Sequence, residues 1–453
     1  MKCLIIAAGL GSRLSKKGDS KPLVSLLGLS LIERVILTAK KSGLTSFYVV
    51  TGYNGEKVRQ HLNQFKKDRN IEITHIINEE WEKGNGISVL KAEKLLNENF
   101  ILLMGDHIFD ESILVKLKDE EITDSEVVLT VDHNIETNKL VDANDVTRVR
   151  EEDEKILDIG KNIKKYNAYD TGIFLCSPAI FGALEESLRS GDSTLSGGVK
   201  VLANRGKAKT FDIKDCYWID VDNEGALKKA ENKLLDTLKK TSDGPVSRHL
   251  NRPISTKISK CLVKTSVTPN VISFLSFILC CIGAFFFFLG GWVNLAIGAT
   301  LAQVSSIVDG CDGEVARLKF NETEFGAWFD AVLDRYADAF LLFGLTCYVY
   351  FLSEALLCLA VGFLAIIGTF MNSYTADKYD GLMKKKIGLK GHYFRMGRDV
   401  RIFIIFLFAL LNMRFLFHVE IIDLPLLAIL LIAILMNTEN IRRVVVLYKN
   451  RQC

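Results

Sequence analysis

The sequence predicts a chain in two parts, a Rossmann-like αβα sandwich followed by an all-α polytopic membrane domain of six transmembrane helices. The chain has 453 residues, more than one ordinary hydrophobic core accommodates. Strand-like and helix-like segments alternate in its first half, whereas no charged residue or histidine occurs between Lys264 and Asp309. A spanning helix needs about 20 apolar residues, so this interval has room for two around a Gly290-Gly291 turn. A wholly soluble protein is therefore excluded.

The N-terminal part, residues 1–236, is predicted to form a mainly parallel sheet with helices on both faces. Residues 31–42 and 87–96 have the apolar period of helices. Short apolar runs typical of strands occupy residues 3–7, 47–51, 71–77, 100–104 and 127–131. Alternation of these two kinds of element is typical of an α/β sandwich.

Residues 237–266 are predicted to be a linker and an interfacial amphipathic helix. The polar stretch 239–253 contains Gly244-Pro245, which indicates a domain boundary. Apolar residues then recur on one helical face and lysines lie near the other, namely Ile254, Ile258 and Leu262, and Lys257, Lys260 and Lys264. Such a helix can lie in a membrane surface, although a plain linker helix has a similar pattern.

Residues 267–453 are predicted to form the membrane domain. Its six expected spans are 271–289, 292–309, 327–352, 355–376, 400–417 and 421–438. Lysines and arginines concentrate in residues 378–401 and 442–451, and cytoplasmic segments carry such an excess. We therefore expect a multi-pass protein of the cell membrane whose N-terminal domain and C-terminus are cytoplasmic.

The net charge and the cysteines argue against some kinds of partner and metal site. The chain has 57 basic and 54 acidic residues and a net charge of +3, which argues against a nucleic-acid partner bound through a broad basic field. Its ten cysteines show no metal-cage spacing, and the N-terminus shows no signal peptide. We expect reduced thiols that face the cytoplasm.

A glycine-rich turn follows the first predicted strand and indicates a phosphate site. The sequence AAGLGSRL occupies residues 7–14, and KPL follows at 21–23. Glycines let backbone N–H groups close on phosphate oxygens, while Arg13 and Lys21 supply cations for a triphosphate. A dinucleotide-binding fold has a similar turn, but its GxGxxG pattern and later ribose-binding acid are missing. The nucleotide-binding residues expected in this turn are Ala8, Gly9, Leu10, Gly11 and Ser12.

With its KP continuation, the turn resembles the signature of the sugar nucleotidyltransferases. The resemblance implies that Arg13 and Lys21 are catalytic. It also implies a site for Mg²⁺ or Mn²⁺ on Asp106, in a GD element at a strand end, and on Asp220 and Asp222, in an element similar to WxD. A turn residue at Asp106 and a surface acid at Asp222 are the alternatives.

The same resemblance assigns residues to the substrates. Gly84, Asn85 and Ser88 lie where related enzymes contact base and ribose, and Asp170 lies in the sugar-side strand. Asn85 has the alternative of a helix cap.

The strongest motif lies in the membrane part. Charged groups in a span cost several kcal/mol unless they are paired or functional. The four carboxylates are Asp309, Asp312, Asp330 and Asp334. Spacings of three and four residues put each pair on one helical face, so the two faces can converge on cations. A cation path through a transporter is the alternative, but it needs neither Ala316-Arg317 nor Gly326 at fixed offsets.

The pattern D-x2-D-G-x2-A-R-x8-G-x3-D-x3-D occurs here without a departure and resembles the CDP-alcohol phosphotransferase family. The resemblance implies that Asp309, Asp312 and Asp330 hold Mg²⁺ or Mn²⁺. It assigns Asp334 as the general base, with a place near a metal as well. The residues it associates with the nucleotide are Asn270, Gly313, Ala316, Arg317 and Gly326.

A phosphorylated acceptor would need cations near these aspartates. The candidates are Lys319, Arg335, Arg395 and Arg398, each of which also fits an ordinary cation at the membrane boundary.

Together the two halves resemble the family of bifunctional inositol-1-phosphate cytidylyltransferases and di-myo-inositol-phosphate-phosphate synthases. The resemblance implies that CTP and inositol 1-phosphate give CDP-inositol, which then reacts with a second inositol 1-phosphate and releases CMP. The product is a soluble solute. The alternative is a phospholipid head-group synthase that uses a CDP-lipid, with a separate sugar nucleotidyltransferase domain. A homodimer is compatible with the sequence, but no residue establishes it.

Overall fold

The computed structural model describes residues 1–11, 13–14, 20–239, 243–386, 397–412 and 424–449; for residues 377 and 379–386 it describes the backbone alone. The chain forms two compact units, Met1–Leu234 and Leu235–Cys453.

The first unit is built on a nine-stranded sheet with the order β5-β4-β1-β6-β11-β8-β12-β10-β9. Its strands are β1 (Lys2–Ala7), β4 (Ser46–Thr51), β5 (Glu72–Ile77), β6 (Phe100–Met104), β8 (Val127–Asp132), β9 (Arg148–Glu152), β10 (Lys155–Gly160), β11 (Ala168–Cys176) and β12 (Ala208–Asp212). Strands β1, β4, β5 and β6 are parallel, and β1 is buried at nearly every position. Burial of both faces is typical of parallel strands.

The sheet is mixed but mainly parallel, as expected, because seven of its nine strands point one way and only β10 and β11 run against them. Strand β11 is antiparallel to β6 and to β8, and β10 is antiparallel to β9 and to β12. The reversal of β10 comes from a tight hairpin after β9, where Asp153 and Glu154 have φ of 50° and 59°. Such turns usually contain glycine or asparagine, and their absence hid the hairpin.

Two small sheets complete the first unit. Strands β2 (Ser25–Leu26) and β3 (Leu29–Ser30) form one, and β7 (His107–Phe109) and β13 (Trp218–Asp220) form the other. In the second, antiparallel pairing sets His107 opposite Asp220.

Seven helices belong wholly or mainly to the first unit in its described part. They are α1 (Leu31–Lys41), α2 (Gly55–Arg69), α3 (Asn85–Leu90), α4 (Glu111–Leu117), α5 (Ala179–Arg189), α6 (Leu195–Asn204) and α7 (Glu224–Asp236). Helix α1 begins with a capping box, because the Ser30 side chain accepts a hydrogen bond from the Glu33 N–H and the Glu33 side chain accepts one from the Ser30 N–H. The helix expected at 87–96 is shorter, since α3 is followed by a separate 3₁₀ turn, Glu93–Leu95.

The second unit is helical. Its described helices are α8 (Arg252–Leu262), α9 (Pro269–Phe288), α10 (Trp292–Leu318), α11 (Glu324–Ser353), α12 (Leu356–Lys386), α13 (Arg398–Leu411) and α14 (Leu424–Lys449). One π-helical turn, Ser247–Asn251, precedes α8.

Four segments of the described chain are long and apolar enough to cross a membrane: α9, α11, Leu356–Ala376 of α12, and α14. Helix α10 contains acidic residues in its last third, and α13 has 14 residues. Residues 413–423, within or beside the last two expected spans, lie outside the described residues. The count of six spans therefore stays a prediction.

Glycines let α9, α10 and α11 approach closely. A Cβ at Gly298 of α10 would lie 2.5 Å from the carbonyl oxygen of Gly283 in α9. A Cβ at Gly344 of α11 would lie 2.5 Å from the carbonyl oxygen of Ala284. These contacts bring the two helices that carry the acidic motif against one common neighbour.

The face of α8 that packs within the second unit is polar. Ser255 and Ser259 are fully buried, whereas Ile254 is 41% exposed. The apolar face expected from the sequence is thus only partly directed outward, because Ile258 and Leu262 are half-buried. This leaves Ile254 available to a membrane surface.

Candidate active sites

A cavity of about 490 Å³ in the first unit is lined by the acidic residues of the N-terminal motifs. Most of them follow strand ends, at the carboxyl edge of β6 and at the end of β13. Charged residues that line the cavity include Asp106, Asp145, Lys161, Asp170, Asp220 and Asp222. The GD element, the element similar to WxD and the sugar-side strand thus meet at one cavity.

Lys21 lies at the centre of the carboxylates. Its ammonium forms ion pairs with Asp106 and Asp222 and lies 3.8 Å from Asp220 Oδ1. Burial opposes the ammonium form, but these carboxylates together raise the pKa of Lys21 above its ordinary value. Lys21 is therefore a fixed positive charge beside the carboxylates that line the cavity.

Three neighbouring side chains have the donor set of a cation site. Ligand atoms of Asp106, His107 and Asp220 lie within 4.8 Å of one another. One oxygen of Asp220 is buried and has no hydrogen-bond partner among the described residues. Two carboxylates and an imidazole fit a divalent cation. Asp222 is outside this group and pairs with Lys21 and, at 3.4 Å, with Arg13.

His107 is a site residue that the sequence analysis missed. Its Nδ1–H donates to the Thr171 carbonyl at 2.7 Å, so Nε2 faces Asp220 at 3.5 Å and Asp106 at 3.8 Å. Burial opposes protonation, but the Asp220 carboxylate outweighs it and raises the pKa of His107 to about 9. The available signal was its place directly after the GD element.

Asp170 lies in the cavity wall on β11. Its carboxylate accepts a hydrogen bond from the Gly172 N–H at 2.7 Å, and burial raises the pKa of Asp170 to about 6. Gly172 has φ of 74°, and a Cβ there would lie 2.5 Å from the His107 ring. Only glycine therefore fits between this strand and the histidine.

Two further cations converge on one carboxylate. Arg13 Nη1 lies 2.5 Å and Lys161 Nζ lies 2.7 Å from oxygens of Asp145. Lys161 and Asp145 both line the cavity, and the sequence analysis missed both. Both residues lie in the segment around β9 and β10, where no sequence motif was found.

The glycine-rich turn is held close to Lys21. Gly11 has φ of 61°, and a Cβ there would lie 2.3 Å from the Lys21 Cβ. The Ala8 carbonyl accepts a hydrogen bond from the Tyr53 N–H at 3.0 Å. A Cβ at Gly9 would meet no atom within 4 Å, and Leu10 is exposed. Ser12 lies outside the described residues.

Of the three residues assigned to base and ribose, only Asn85 lines the cavity. Asn85 is the first residue of α3, and its side chain accepts a hydrogen bond from the Leu195 N–H at the start of α6. The Gly84 N–H donates to Ser193 Oγ at 3.0 Å. Ser88 is buried and accepts a hydrogen bond from Asn78. Gly84 and Ser88 thus form hydrogen bonds within the protein and do not line the cavity.

In the second unit, the aspartates of α10 and α11 converge. Carboxylate oxygens of Asp309, Asp330 and Asp334 lie within 4.8 Å of one another. Ser276 of α9 donates a hydrogen bond to Asp309 at 3.1 Å. Oxygen donors of this kind suit Mg²⁺ or Mn²⁺.

Asp312 lies outside that group of three. It is buried, and its carboxylate accepts hydrogen bonds from the Ser273 hydroxyl and the Gly313 N–H. Its other neighbour is Asp330. The geometry therefore places Asp312 beside the cluster, against α9.

Arg398 reaches the aspartates from α13. Its guanidinium pairs with Asp334 and lies 3.0 Å from Asp309, while its Nε donates to Asp338 at 3.2 Å. Arg401 also donates to Asp338, at 2.5 Å. Asp338 was not predicted from the sequence, although it continues the four-residue spacing of Asp330 and Asp334.

The other cation candidates differ in their surroundings. Lys319 Nζ donates to the carbonyl oxygens of Thr265 and Val267, at 2.6 and 3.3 Å. Arg335 is half-buried next to Asp334 in sequence. Arg395 lies outside the described residues.

The residues associated with the nucleotide lie near one another only in part. A Cβ at Gly326 would lie 3.2 Å from Asn270 Oδ1, and a Cβ at Gly313 would lie 3.2 Å from Arg317 Nη1. Ala316 is half-buried. Arg317 Nε and Nη2 are buried without a hydrogen-bond partner in the described chain. A buried guanidinium in this state fits an anionic ligand.

Comparisons with known proteins match the two halves of the chain to two different families. Residues 3–189 match the MobA-like NTP transferase domain, and residues 266–439 match the CDP-alcohol phosphatidyltransferase family. The chain is 35% identical to a bifunctional IPC transferase and DIPP synthase of Rubrobacter xylanophilus, over 99% of this chain and 96% of the relative. A protein of the same name from Thermococcus kodakarensis is 34% identical over 90% of each chain.

A solved structure, the inositol-1-phosphate CTP transferase from T. maritima, is 25% identical. The match covers 51% of this chain and 96% of that one, with a TM-score of 0.45.

The close approach of Gly172 to His107 can be tested by Gly172→Ala. We expect a loss of about 3 kcal/mol in the free energy of unfolding of the first unit, from strain at positive φ and overlap with the imidazole. The measurement is denaturant unfolding followed by the fluorescence of Trp218, whose ring lies 5.9 Å from that of His107.

The matched control is Gly191→Ala. Gly191 has φ of 94°, but a Cβ there would meet no atom within 4 Å, so only the backbone strain of about 1 kcal/mol should appear. Equal losses in the two variants would contradict the predicted overlap.

Proposed function

The chain belongs to the family of bifunctional IPC transferases and DIPP synthases, and we propose that it makes CDP-inositol and then consumes it. CTP and inositol 1-phosphate give CDP-inositol and pyrophosphate in the first unit. CDP-inositol and a second inositol 1-phosphate then give di-myo-inositol phosphate phosphate and CMP in the second. The observation that supports this best is the presence of two acidic clusters in one chain, each with a paired cation.

A phospholipid head-group synthase is not favoured. Curated relatives that match both halves of the chain have the bifunctional name, and their alignments cover at least 90% of this chain. A lipid synthase would leave the first unit without a linked role.

In the first reaction, an oxygen of inositol 1-phosphate attacks the α-phosphorus of CTP and pyrophosphate leaves. We propose that Lys21 and Arg13 neutralise the crowded phosphates, and that Asp222 orients Lys21 through their ion pair. Asp106 and Asp220 would hold Mg²⁺ or Mn²⁺, which supplies Lewis-acid stabilisation of phosphate charge, and His107 lies beside both carboxylates. Lys161 and Asp170 in the cavity wall are suited to the acceptor, by charge and by hydrogen bonding.

In the second reaction, a hydroxyl of inositol 1-phosphate attacks the β-phosphorus of CDP-inositol. The new oxygen–phosphorus bond forms as the bond to CMP breaks, and we propose that Asp334 takes the hydroxyl proton. Asp309, Asp330 and the adjacent Asp312 would hold Mg²⁺ or Mn²⁺, which supplies charge stabilisation. The nucleotide would lie near Asn270, Gly313, Ala316, Arg317 and Gly326.

We propose Arg398 as the main ligand of the acceptor phosphate. It is the described cation in direct contact with Asp309 and Asp334, and an arginine can bind a phosphate through two parallel hydrogen bonds. Lys319 is engaged by carbonyl groups of the loop before α9. Arg335 stays a second candidate.

The membrane arrangement is also proposed. Residues 1–236 form the cytidylyltransferase domain, 237–266 the linker with the interfacial helix, and 267–453 a multi-pass domain of six spans. Four candidate spans and the additional helices α10 and α13 support this count. The N-terminal domain and the C-terminus lie in the cytoplasm, and the homodimer stays a prediction.

The two activities should separate by mutation. Lys21→Ala or Asp106→Ala should lower CDP-inositol formation by about 10²–10³-fold, because each removes a charge that meets the triphosphate. Condensation of supplied CDP-inositol should persist. The measurement is the release of pyrophosphate and of CMP from the same preparation. Loss of both reactions in a well-folded Asp106→Ala protein would refute two separate sites.

Asp334→Asn should lower the condensation rate by about 10²–10⁴-fold, because an amide cannot accept the hydroxyl proton. CDP-inositol binding and the cytidylyltransferase rate should be retained. The matched variant Asp312→Asn should instead weaken metal and nucleotide binding together. Near-normal turnover of Asp334→Asn at saturating substrates would show that Asp334 is not the base.

Arg398→Gln should raise the KM for inositol 1-phosphate in condensation more than the KM for CDP-inositol, because only the acceptor presents a phosphate monoester. Initial rates with each substrate varied in turn provide the measurement. Arg335→Gln is the comparison. Equal changes in the KM values of both substrates in both variants would contradict the proposed site for the acceptor phosphate.

The proposed topology predicts that the end of α12 around residue 385 is cytoplasmic. A cysteine introduced by Lys385→Cys should resist a membrane-impermeant thiol reagent applied to intact cells, as should Lys17→Cys. The exposed Cys261 is first replaced by serine. Labelling of residue 385 while residue 17 stays protected would contradict the topology.

A further inference from the structure

A polar stripe runs along α10, formed by residues to which the proposed reaction assigns no role. Its members recur every three or four residues and therefore share one helical face: Gln303, Ser306, Gly310 and Glu314. Polar groups in an otherwise apolar helix need partners. The hydrogen-bond partners of these residues indicate the role of the stripe.

The stripe is covered by the π-helical turn and α8. Gln303 Nε2 donates to Asn251 Oδ1 at 2.9 Å, and Asn251 Nδ2 donates to Ser306 Oγ at 3.1 Å. Farther along, Arg252 Nη1 donates to the Gly310 carbonyl at 3.4 Å. A continuous polar seam therefore joins α8 to α10.

Glu314 is the end of the seam and is fully buried. Its carboxylate accepts hydrogen bonds from Arg252 Nη1 at 2.7 Å, Ser255 Oγ at 2.6 Å and Ser259 Oγ at 2.7 Å. Arg252 is itself held by both oxygens of Asp243, at 2.9 and 3.0 Å. A carboxylate away from water depends on such donors, so Glu314 is tied to one position relative to α8.

The seam and the aspartates lie on different sides of α10. Each helical residue turns by about 100°, so Glu314 is about 140° from Asp309 around the axis. On the aspartate side, Ser276 and Ser273 of α9 donate to Asp309 and Asp312. Helix α10 is thus held by hydrogen bonds from two sides, which fixes its rotation.

We propose that Glu314 is a positioning residue for the condensation reaction. With Arg252, Ser255 and Ser259 it sets the rotation of α10, and that rotation sets the direction of the Asp309 and Asp312 carboxylates. The inference rests on the condensation site proposed above. Displacement of reacting or ligating groups by about 1 Å can cost 10²-fold in rate. Loss of the hydrogen bonds between α8 and α10 should therefore lower the rate of condensation.

The test compares Glu314→Gln with Glu439→Gln in the full-length protein. Glu439 of α14 is a matched control because it is also buried and pairs with arginines, Arg442 at 2.7 Å and Arg443 at 3.0 Å. With CDP-inositol supplied, Glu314→Gln should lower kcat for condensation by about 10²-fold. Glu439→Gln should leave kcat within about twofold, and CDP-inositol formation should be unchanged in both.

A second readout is independent of turnover. In a background with Asp106→Asn and Asp220→Asn, which disables the first cation site, Mn²⁺ binding is titrated by electron paramagnetic resonance. Glu314→Gln should weaken this binding by about 10-fold, because rotation of α10 would displace the ligating carboxylates. Glu439→Gln should not. A residue with only a general structural role would change the amount of folded protein and leave the affinity unchanged.

The outcomes are distinct. Unchanged Mn²⁺ affinity and unchanged kcat in folded Glu314→Gln would overturn the positioning role. Should that variant not fold, the double variant Ser255→Ala, Ser259→Ala keeps the Arg252–Glu314 pair and should give a smaller loss in both readouts; no loss overturns the proposal. Absence of condensation by the unmodified protein would refute the proposed function, and Mn²⁺ binding would still decide the role of Glu314.

Discussion

Like charges held close together, away from bulk water, constrain both acidic sites of this chain. Mutual repulsion between carboxylates grows as the surroundings become less polar, and a buried charge without a partner is costly. In the first unit Lys21 lies among the carboxylates, and in the second Arg398 has the same place. Each cation allows its carboxylates to stay close in the folded chain. Such mixed clusters suit phosphate chemistry, because they present both signs of charge to a highly charged substrate.

The surrounding structure is organised to hold these charges in place. In the second unit, hydroxyl groups of α9 and α8 provide hydrogen bonds to acids on two sides of α10, where water would do so in a soluble protein. Small residues let α9 approach both neighbouring helices closely. In the first unit, Gly172 leaves room for the His107 ring. Positions without a side chain are thus as important to the sites as the ionisable residues are.

The sequence was most informative where the spacing of residues determines their arrangement on a helix. The four-residue spacing of Asp330 and Asp334 places both on one face, and the structure brings them together with Asp309. The apolar strands were predictable because burial on both faces leaves a clear pattern. The β9–β10 hairpin was not, since its turn lacks glycine and asparagine. Lys161 and the buried serines of α8 were missed for another reason: their importance comes from partners distant in sequence, Asp145 and Glu314.

The pairing of β7 with β13 has a consequence for how this chain can vary over evolution. The ladder sets His107 opposite Asp220, so the distance between them depends on local register rather than on the chain that connects them. A slip by one residue would turn Asp220 to the opposite face. Insertions or deletions in the intervening surface loops leave the register intact. Loop lengths can therefore diverge, and with them the walls of the cavity, while the group of Asp106, His107 and Asp220 keeps its dimensions.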